Sequence, residues 1–471
     1  MTFDTRTWDR RSFLKAAGVA AALPSVSSPQ PAPQRPGAQR PFFPIREAII
    51  CPTGRSEQLT EFAWVNFETW PEERIRRYPA FLKACGFNSI QVTEIRGYCG
   101  KRKTQDLTNV ARVVRVLAEE ARRQDMSVSQ FIWGLCLLHE GDSLCWNDRR
   151  ERKWMEGEFT RLARTYARLV DHIVLHYSDP GGCNRNGCDA YKTPQEISQA
   201  VLKAYRKENP AVRATISAWA NKSFFDGHPG MGKLLDETFS PKEFAIALHR
   251  WYDPERARLV KDTGRKVGIW SWYIADYEMA HDCAFCMKVL DKYFSSLPAE
   301  ASVNVDWISM ERCWHGMPSD INLWVAGQKL IDPFKPLQKI EEDFCTAVFG
   351  RAGPAALQAY HACEDGQVDQ RIYGYFIPET DRYPALTATP EFEKQAREAL
   401  RALESVSTPL TTPQIPLVTQ PEDMVVFLKN RLKLLLSYGQ ALRSGSKTIE
   451  AVESDPLYWS LQQKLAGTKP S

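Results

Sequence analysis

The chain has 471 residues, 43% of them hydrophobic and 25% charged, and a formal net charge of +4. Such a composition belongs to a globular chain of one large or two domains. It carries no basic run suited to nucleic acid and, beyond its N-terminal segment, no apolar stretch suited to a membrane span.

In chain order, Asp9-Arg10-Arg11-Ser12-Phe13-Leu14-Lys15 followed by Ala16-Ala17-Gly18-Val19-Ala20-Ala21-Ala22-Leu23 reads as a twin-arginine export signal. Its apolar segment is far shorter than the roughly 20 residues a membrane span needs. Ser25 to Pro41 is rich in Pro, Gln and Ser, a cleavage and linker zone with nothing to build a core. The mature chain is therefore expected to be periplasmic or secreted, and off the membrane once the signal is removed.

From Glu47 to about Gly316, short apolar runs alternate with longer helical patterns. Strands are predicted at Ala48–Cys51, Phe62–Val65, Ser89–Thr93, Val128–Trp133, Ile173–His176, Val212–Ser217, Phe244–Leu248, Val267–Trp272 and Ala301–Val305. Between them run helices from Pro71 to Cys85, Leu107 to Arg123, Lys153 to Leu169, Thr193 (as N-cap, with Glu196 closing a capping box) to about Asn209, Pro254 to Gly264, and Asp282 to Phe294. About eight strand-then-helix units over roughly 270 residues match a (β/α)8 TIM-type barrel. A doubly wound open sheet would want a Gly-rich phosphate turn after an early strand; Gly230-Met231-Gly232-Lys233 lacks that context. After Pro318 the patterns are helical: Asp320–Leu330, Pro336–Phe349, Pro354–Glu364, Pro390–Glu404, Pro421–Arg443 and Pro456–Ala466. The sequence thus predicts a signal and linker (residues 1–41), an α/β barrel domain (42–318) and an all-helical C-terminal region (319–471).

Twelve cysteines include two close pairs, Cys183/Cys188 and Cys283/Cys286. A four-thiolate zinc site, a disulfide across the loop after Asp179, and unpaired buried thiols all fit such spacing. No cofactor is called for.

Residues just past each strand of a barrel converge on one cleft. Here they include Glu94, His139, Glu140, Asp179, Trp219, His249, Arg250, Trp251, Tyr273, Asp276, Glu278, Asp306 and Glu311. His176 and Tyr177 flank the exit of the fourth strand, whereas His172 sits at its start, where a core histidine is the plainer reading. A cleft rich in carboxylates and tryptophans suits glycoside chemistry: one carboxylic acid protonates the leaving oxygen while a second carboxylate attacks or activates water.

The region from about Glu47 to Gly366 resembles the barrel glycoside hydrolases that include bacterial α-glucuronidases and β-N-acetylhexosaminidases. Three stretches carry the likeness: His176-Tyr177-Ser178-Asp179-Pro180-Gly181-Gly182-Cys183; Trp270-Ser271-Trp272-Tyr273 with Asp276 and Glu278; and Asn322-Leu323-Trp324-Val325-Ala326-Gly327 through Asp332-Pro333 to Phe349-Gly350. Many of these relatives carry Glu or an acidic pair at the strand-four position, where this chain has one Asp followed by Pro. The resemblance implies a hydrolase of oligosaccharides, of uronic-acid or N-acetyl type, and the N-terminal motif implies that it is exported. Asp179 would be its general acid, Asp276 or Glu278 the partner, and Glu311 the reserve. Glu94, His176, Tyr177, Trp219, His249, Arg250, Trp251, Trp272, Tyr273 and Trp307 would contact the glycoside, with Arg250 or Arg312 holding a substrate carboxylate. Two other classes remain open on the sequence. One is a metal-dependent sugar isomerase, epimerase or lyase using Glu94, Asp179, His249 and Glu311 as ligands; the other is a non-catalytic carbohydrate-binding barrel.

Overall fold

Eight short strands, each alternating inward and outward side chains, pair in parallel and close on themselves in sequence order. They are β1 (Ile45–Ile50), β2 (Ser89–Glu94), β3 (Ser127–Ile132), β4 (His172–Leu175), β5 (Arg213–Ser217), β6 (Phe244–His249), β7 (Val267–Ser271) and β8 (Trp307–Glu311). The seam joins β1 to β8, with Ile45 opposite Trp307 and Ile49 opposite Glu311. The computed structural model describes residues 41–50, 70–94, 108–132, 144–176, 185–188, 192–217, 244–249, 252–271, 285–311, 320–366, 388–407, 409–410 and 412–444. The predicted strand at Phe62–Val65 and helix at Pro456–Ala466 lie outside them, as do residues 1–40 of the signal and linker; the eight described strands close the barrel among themselves.

The helices start and stop where local chemistry dictates. Glu72 and Glu73 occupy the first turn of α1 (Glu72–Cys85), and Gly86, at φ 114, ends it by donating its N–H to the carbonyls of Leu82 and Lys83. α2 (Thr108–Arg123) follows β2. α3 (Arg149–Tyr166) begins earlier than the predicted Lys153, because the Asp148 side chain accepts from the Arg150 and Glu151 N–H groups. α4 (Lys192–Glu208) already includes Thr193, the expected N-cap. Its Glu196 accepts from the Trp146 indole at 3.0 Å. α5 (Pro254–Asp262) has Asp253 as N-cap and Pro254 in its first turn, and α6 (Met287–Ser295) follows β7.

The last strand departs from expectation. Ala301–Val305 is the last of the predicted strands, but Ala301–Asn304 forms a helical turn, α7, and β8 starts at Trp307. Asp306 fixes that start: its N–H donates to the Val267 carbonyl at 2.7 Å, and its carboxylate accepts from the Val267 N–H at 2.8 Å and from Lys261 at 2.8 Å. Two adjacent runs of similar apolar content cannot be ranked by periodicity alone.

Inside the barrel the layers differ in character. Ile49, Phe131, Val174 and Trp270 make a buried apolar layer of their own, with Phe131 stacked on Trp270 at 4.7 Å between ring centroids. Nearer the N-terminal ends lies a polar layer centred on Glu47, itself buried. Its carboxylate accepts from Ser89 (2.8 Å), Ser129 (2.7 Å), Gln91 (2.6 Å) and Ser309 (2.7 Å), so all four acceptor positions are filled.

Among the described residues, the region after the barrel contains α8 (Asp320–Ile331), α9 (Leu337–Phe349), α10 (Gly353–Asp365), α11 (Pro390–Glu404) and α12 (Pro421–Arg443). α8 lies against α1 so closely that a Cβ on Gly327 would sit 2.3 Å from the Cys85 carbonyl oxygen. The Phe42 N–H donates to the Ile331 carbonyl at 2.8 Å, tying the start of the described chain to the same helix. Tyr360 packs among Phe285, Phe344 and Phe349, joining α9 and α10 to the segment before α6.

That junction titrates. Glu364 on α10 accepts from the Lys288 N–H at the start of α6 at 2.8 Å. Burial, chiefly, with smaller pushes from Glu341 and Asp365, raises its carboxyl to about 7 against the opposing effect of Lys288. His361, paired with Glu341 at 2.9 Å, faces the same junction and is also held above its ordinary value, first by the Glu341 hydrogen bond. A carboxyl whose folded value is raised stabilises the fold below its unfolded value, and that contribution is lost as pH rises through about 7. Glu364→Gln keeps the acceptor and removes the titration. Between pH 5 and 8.5 the parent should therefore lose about 3 kcal/mol more unfolding free energy than Glu364→Gln does, read from urea midpoints. Equal pH slopes for the two proteins would count against it.

Candidate functional site

A parallel barrel presents the C-terminal ends of all its strands at one mouth. Three predicted site residues end strands there: Glu94 closes β2, His249 closes β6 and Glu311 closes β8. Their backbone positions are described; Asp179, Asp276, Glu278, Tyr177, Trp219, Arg250, Trp251, Trp272 and Tyr273 lie outside the described residues.

His176, one residue past β4, is fully buried. Its Nδ1 lies 3.1 Å from the Ser217 hydroxyl on β5, and its ring is 5.3 Å from Phe131 and 5.8 Å from Trp270. Burial pushes its pKa down to about 3, so the imidazole is neutral at ordinary pH. Together these rings and the apolar layer beneath them give the mouth a stiff floor.

Trp307 belongs elsewhere. Expected beyond a strand exit, it is instead the first residue of β8, at the opposite mouth, because Ala301–Asn304 is helical and the strand begins only at Trp307. Its indole lies over Gly268, where a Cβ would come within 1.9 Å of the ring. Trp307 is therefore not one of the residues at the C-terminal edge.

Among the described residues no group of three or more His, Cys, Asp or Glu side chains is arranged to hold a metal ion. Cys183 and Cys283 lie outside the described residues. Cys188 has a neighbour that spacing did not suggest: its Sγ is 3.5 Å from that of Cys145, in the segment leading into α3. Arg185 to Glu151 (3.1 Å) and Asn147 to the Asn186 carbonyl (3.0 Å) tie the same two segments together.

Sequence reasoning also missed Glu47 as anything but a boundary. A signal was present: Ile45-Arg46-Glu47-Ala48-Ile49 puts a carboxylate at an inward position of a buried strand, and Ser89, Gln91 and Ser129 repeat the polar choice on β2 and β3.

No protein-family model matches the chain, and no curated protein matches it in sequence. Solved structures do. An O-GlcNAc hydrolase of Thermobaculum terrenum, solved as a point mutant, superposes with a TM-score of 0.53 at 12% identity, over 90% of this chain and 94% of that one. CpGH84B matches with a TM-score of 0.53 at 10% identity, over 92% of this chain and 75% of its own. CpGH84D matches with a TM-score of 0.51 at 10% identity, over 91% and 70%. At such identities the likeness is one of fold: this chain shares a parallel eight-stranded barrel with glycoside hydrolase family 84 O-GlcNAcase-like structures.

Proposed function

We propose that the chain is an exported glycoside hydrolase acting on N-acetylhexosaminides, with Asp179 as general acid and Asp276 or Glu278 as its partner, Glu311 standing in reserve. The observation that carries the reading is the likeness to the O-GlcNAc hydrolase, which extends through barrel and helices alike over 90% of this chain and 94% of that one. Asp179 follows the last residue of β4, Leu175, by four positions, within the short reach of a barrel's βα loop. In this role Asp179 donates its proton to the glycosidic oxygen as the bond to the anomeric carbon lengthens, and the partner takes the opposite face of the sugar. Export rests on the Arg10-Arg11 motif and its short apolar segment.

A panel of 4-nitrophenyl glycosides tests this. The N-acetyl-β-D-glucosaminide should release 4-nitrophenolate at least about ten times faster than the β-D-glucoside or β-D-glucuronide, the discrimination expected when a site is built to hydrogen-bond the acetamido group. Preference for the glucuronide would move the substrate class to uronic acids. Absence of turnover across the panel would overturn the hydrolase reading.

A further inference from the structure

The opposite mouth of the barrel holds a cavity of about 590 Å³, within the size range of small-molecule sites. It is lined largely by the first residues of strands, among them Ile45, Ser127, His172, Arg213, Phe244 and Trp307. Val174, a member of the apolar layer, forms part of its wall, and that layer stands between the cavity and the strand ends where Glu94, His249 and Glu311 lie.

The two ends of this cavity have opposite hydrogen-bonding characters. Its rim is cationic: Arg213 and Lys266 are exposed there, with the half-buried Arg206 behind them. Among the described residues neither the Arg213 guanidinium nor the Lys266 ammonium has a hydrogen bond or ion pair. The carboxylates preceding β4 and β8 are engaged elsewhere, Asp171 by the Val128 N–H at 3.0 Å and Asp306 by Lys261 and the Val267 N–H. His172 adds no charge: burial first, then Arg213 and Lys266, push it down to about 3. Its Nε2 is 2.5 Å from the Thr215 hydroxyl.

Deeper in, the donors are spent. Ser89 and Ser129 give their hydroxyl protons to Glu47, Ser127 lies 2.9 Å from Ser89, and the Glu47 oxygens are saturated. What the serines have left is lone pairs, so the floor accepts hydrogen bonds and does not donate them. Between rim and floor the Trp307 indole, fixed over Gly268, offers a flat apolar wall. An occupant must therefore be anionic at one end, carry hydroxyl donors at the other, and present a ring of modest size between.

We propose that this N-terminal mouth is a second ligand site, taking a monosaccharide-sized sugar acid, either a sugar carboxylate or a sugar phosphate, with its anion on Arg213 and Lys266 and its hydroxyls on the serine floor. The proposal goes beyond the hydrolase reading and does not rest on it, since the residues involved lie at the other end of the barrel.

Calorimetric titration of the full chain tests it, with D-glucuronate, glucose 6-phosphate, glucose and inorganic phosphate as probes. Saturable binding of glucuronate or glucose 6-phosphate is expected, and whichever binds more tightly identifies the anion. Glucose and inorganic phosphate should bind at least about tenfold more weakly, each lacking one half of the recognition. The double variant R213A/K266A changes two exposed side chains; it should weaken binding at least about tenfold and leave glycoside turnover unchanged. Asp179→Asn should bind as the parent does. No saturable binding of either sugar acid, equal binding of inorganic phosphate, or unchanged affinity in the double variant would each overturn the site, whatever the glycoside panel shows.

Discussion

Asp179→Asn is expected to fold as the parent does and to lose about 10²- to 10⁴-fold in turnover of an alkyl or sugar-leaving glycoside, the span that positioned proton transfer contributes. The amide matches the carboxyl in shape and leaves backbone contacts alone, so circular dichroism and urea midpoint should not move. The loss should shrink to about tenfold or less on a 2,4-dinitrophenyl glycoside, whose leaving group departs without protonation. A partner that attacks or activates water acts on every substrate, so Asp276→Asn or Glu278→Gln should lose activity on both leaving groups alike. If Asp179→Asn loses equally on both, the residue is the partner and not the acid. If it loses on neither, the fourth strand carries no catalytic carboxyl.

Glu47→Leu is the second large effect, and it falls on stability. Leucine removes the acceptor for Ser89, Gln91, Ser129 and Ser309 together, in a layer where Glu47, Ser89, Gln91 and Ser309 are each no more than 5% exposed. Each orphaned buried donor costs about 1–3 kcal/mol, and water entering from the adjoining cavity offsets part of the total, leaving about 4 kcal/mol. Glu47→Gln keeps one oxygen for two of the donors, and its amide can donate to serine lone pairs, so about 1 kcal/mol is expected. Urea unfolding of the two variants checks the order. A leucine variant as stable as the parent would show that the serines re-pair among themselves, and that the carboxylate does not organise the layer.

Much of the architecture was legible because it rests on period. Short strands of four to six residues that are largely apolar, helices opened by Asp or Pro, and Gly86 after α1 all leave local marks. Boundaries slipped where a side chain reached outside its own segment, as Asp148 did in starting α3 early and Asp306 did in delaying β8 past a run of equal apolarity. The site is less legible. Strand ends can be named from sequence, and Glu94, His249 and Glu311 do end strands at one mouth, but a strand misplaced by six residues sends Trp307 to the wrong end of the barrel. Glu47 and the Cys145–Cys188 approach are contacts across 42 or more residues, and no local period encodes them.

The Ser309-to-Glu47 hydrogen bond spans 262 residues. Until the ribosome has passed position 311, the first strand has no eighth to pair with, its carboxylate lacks one of four donors, and the sheet has two open edges. Closing so long a loop costs entropy that only the finished ring repays. Barrel formation is therefore a late, all-or-none event in the life of each nascent chain, and truncations short of β8 should be recognised by proteases and chaperones as unfolded.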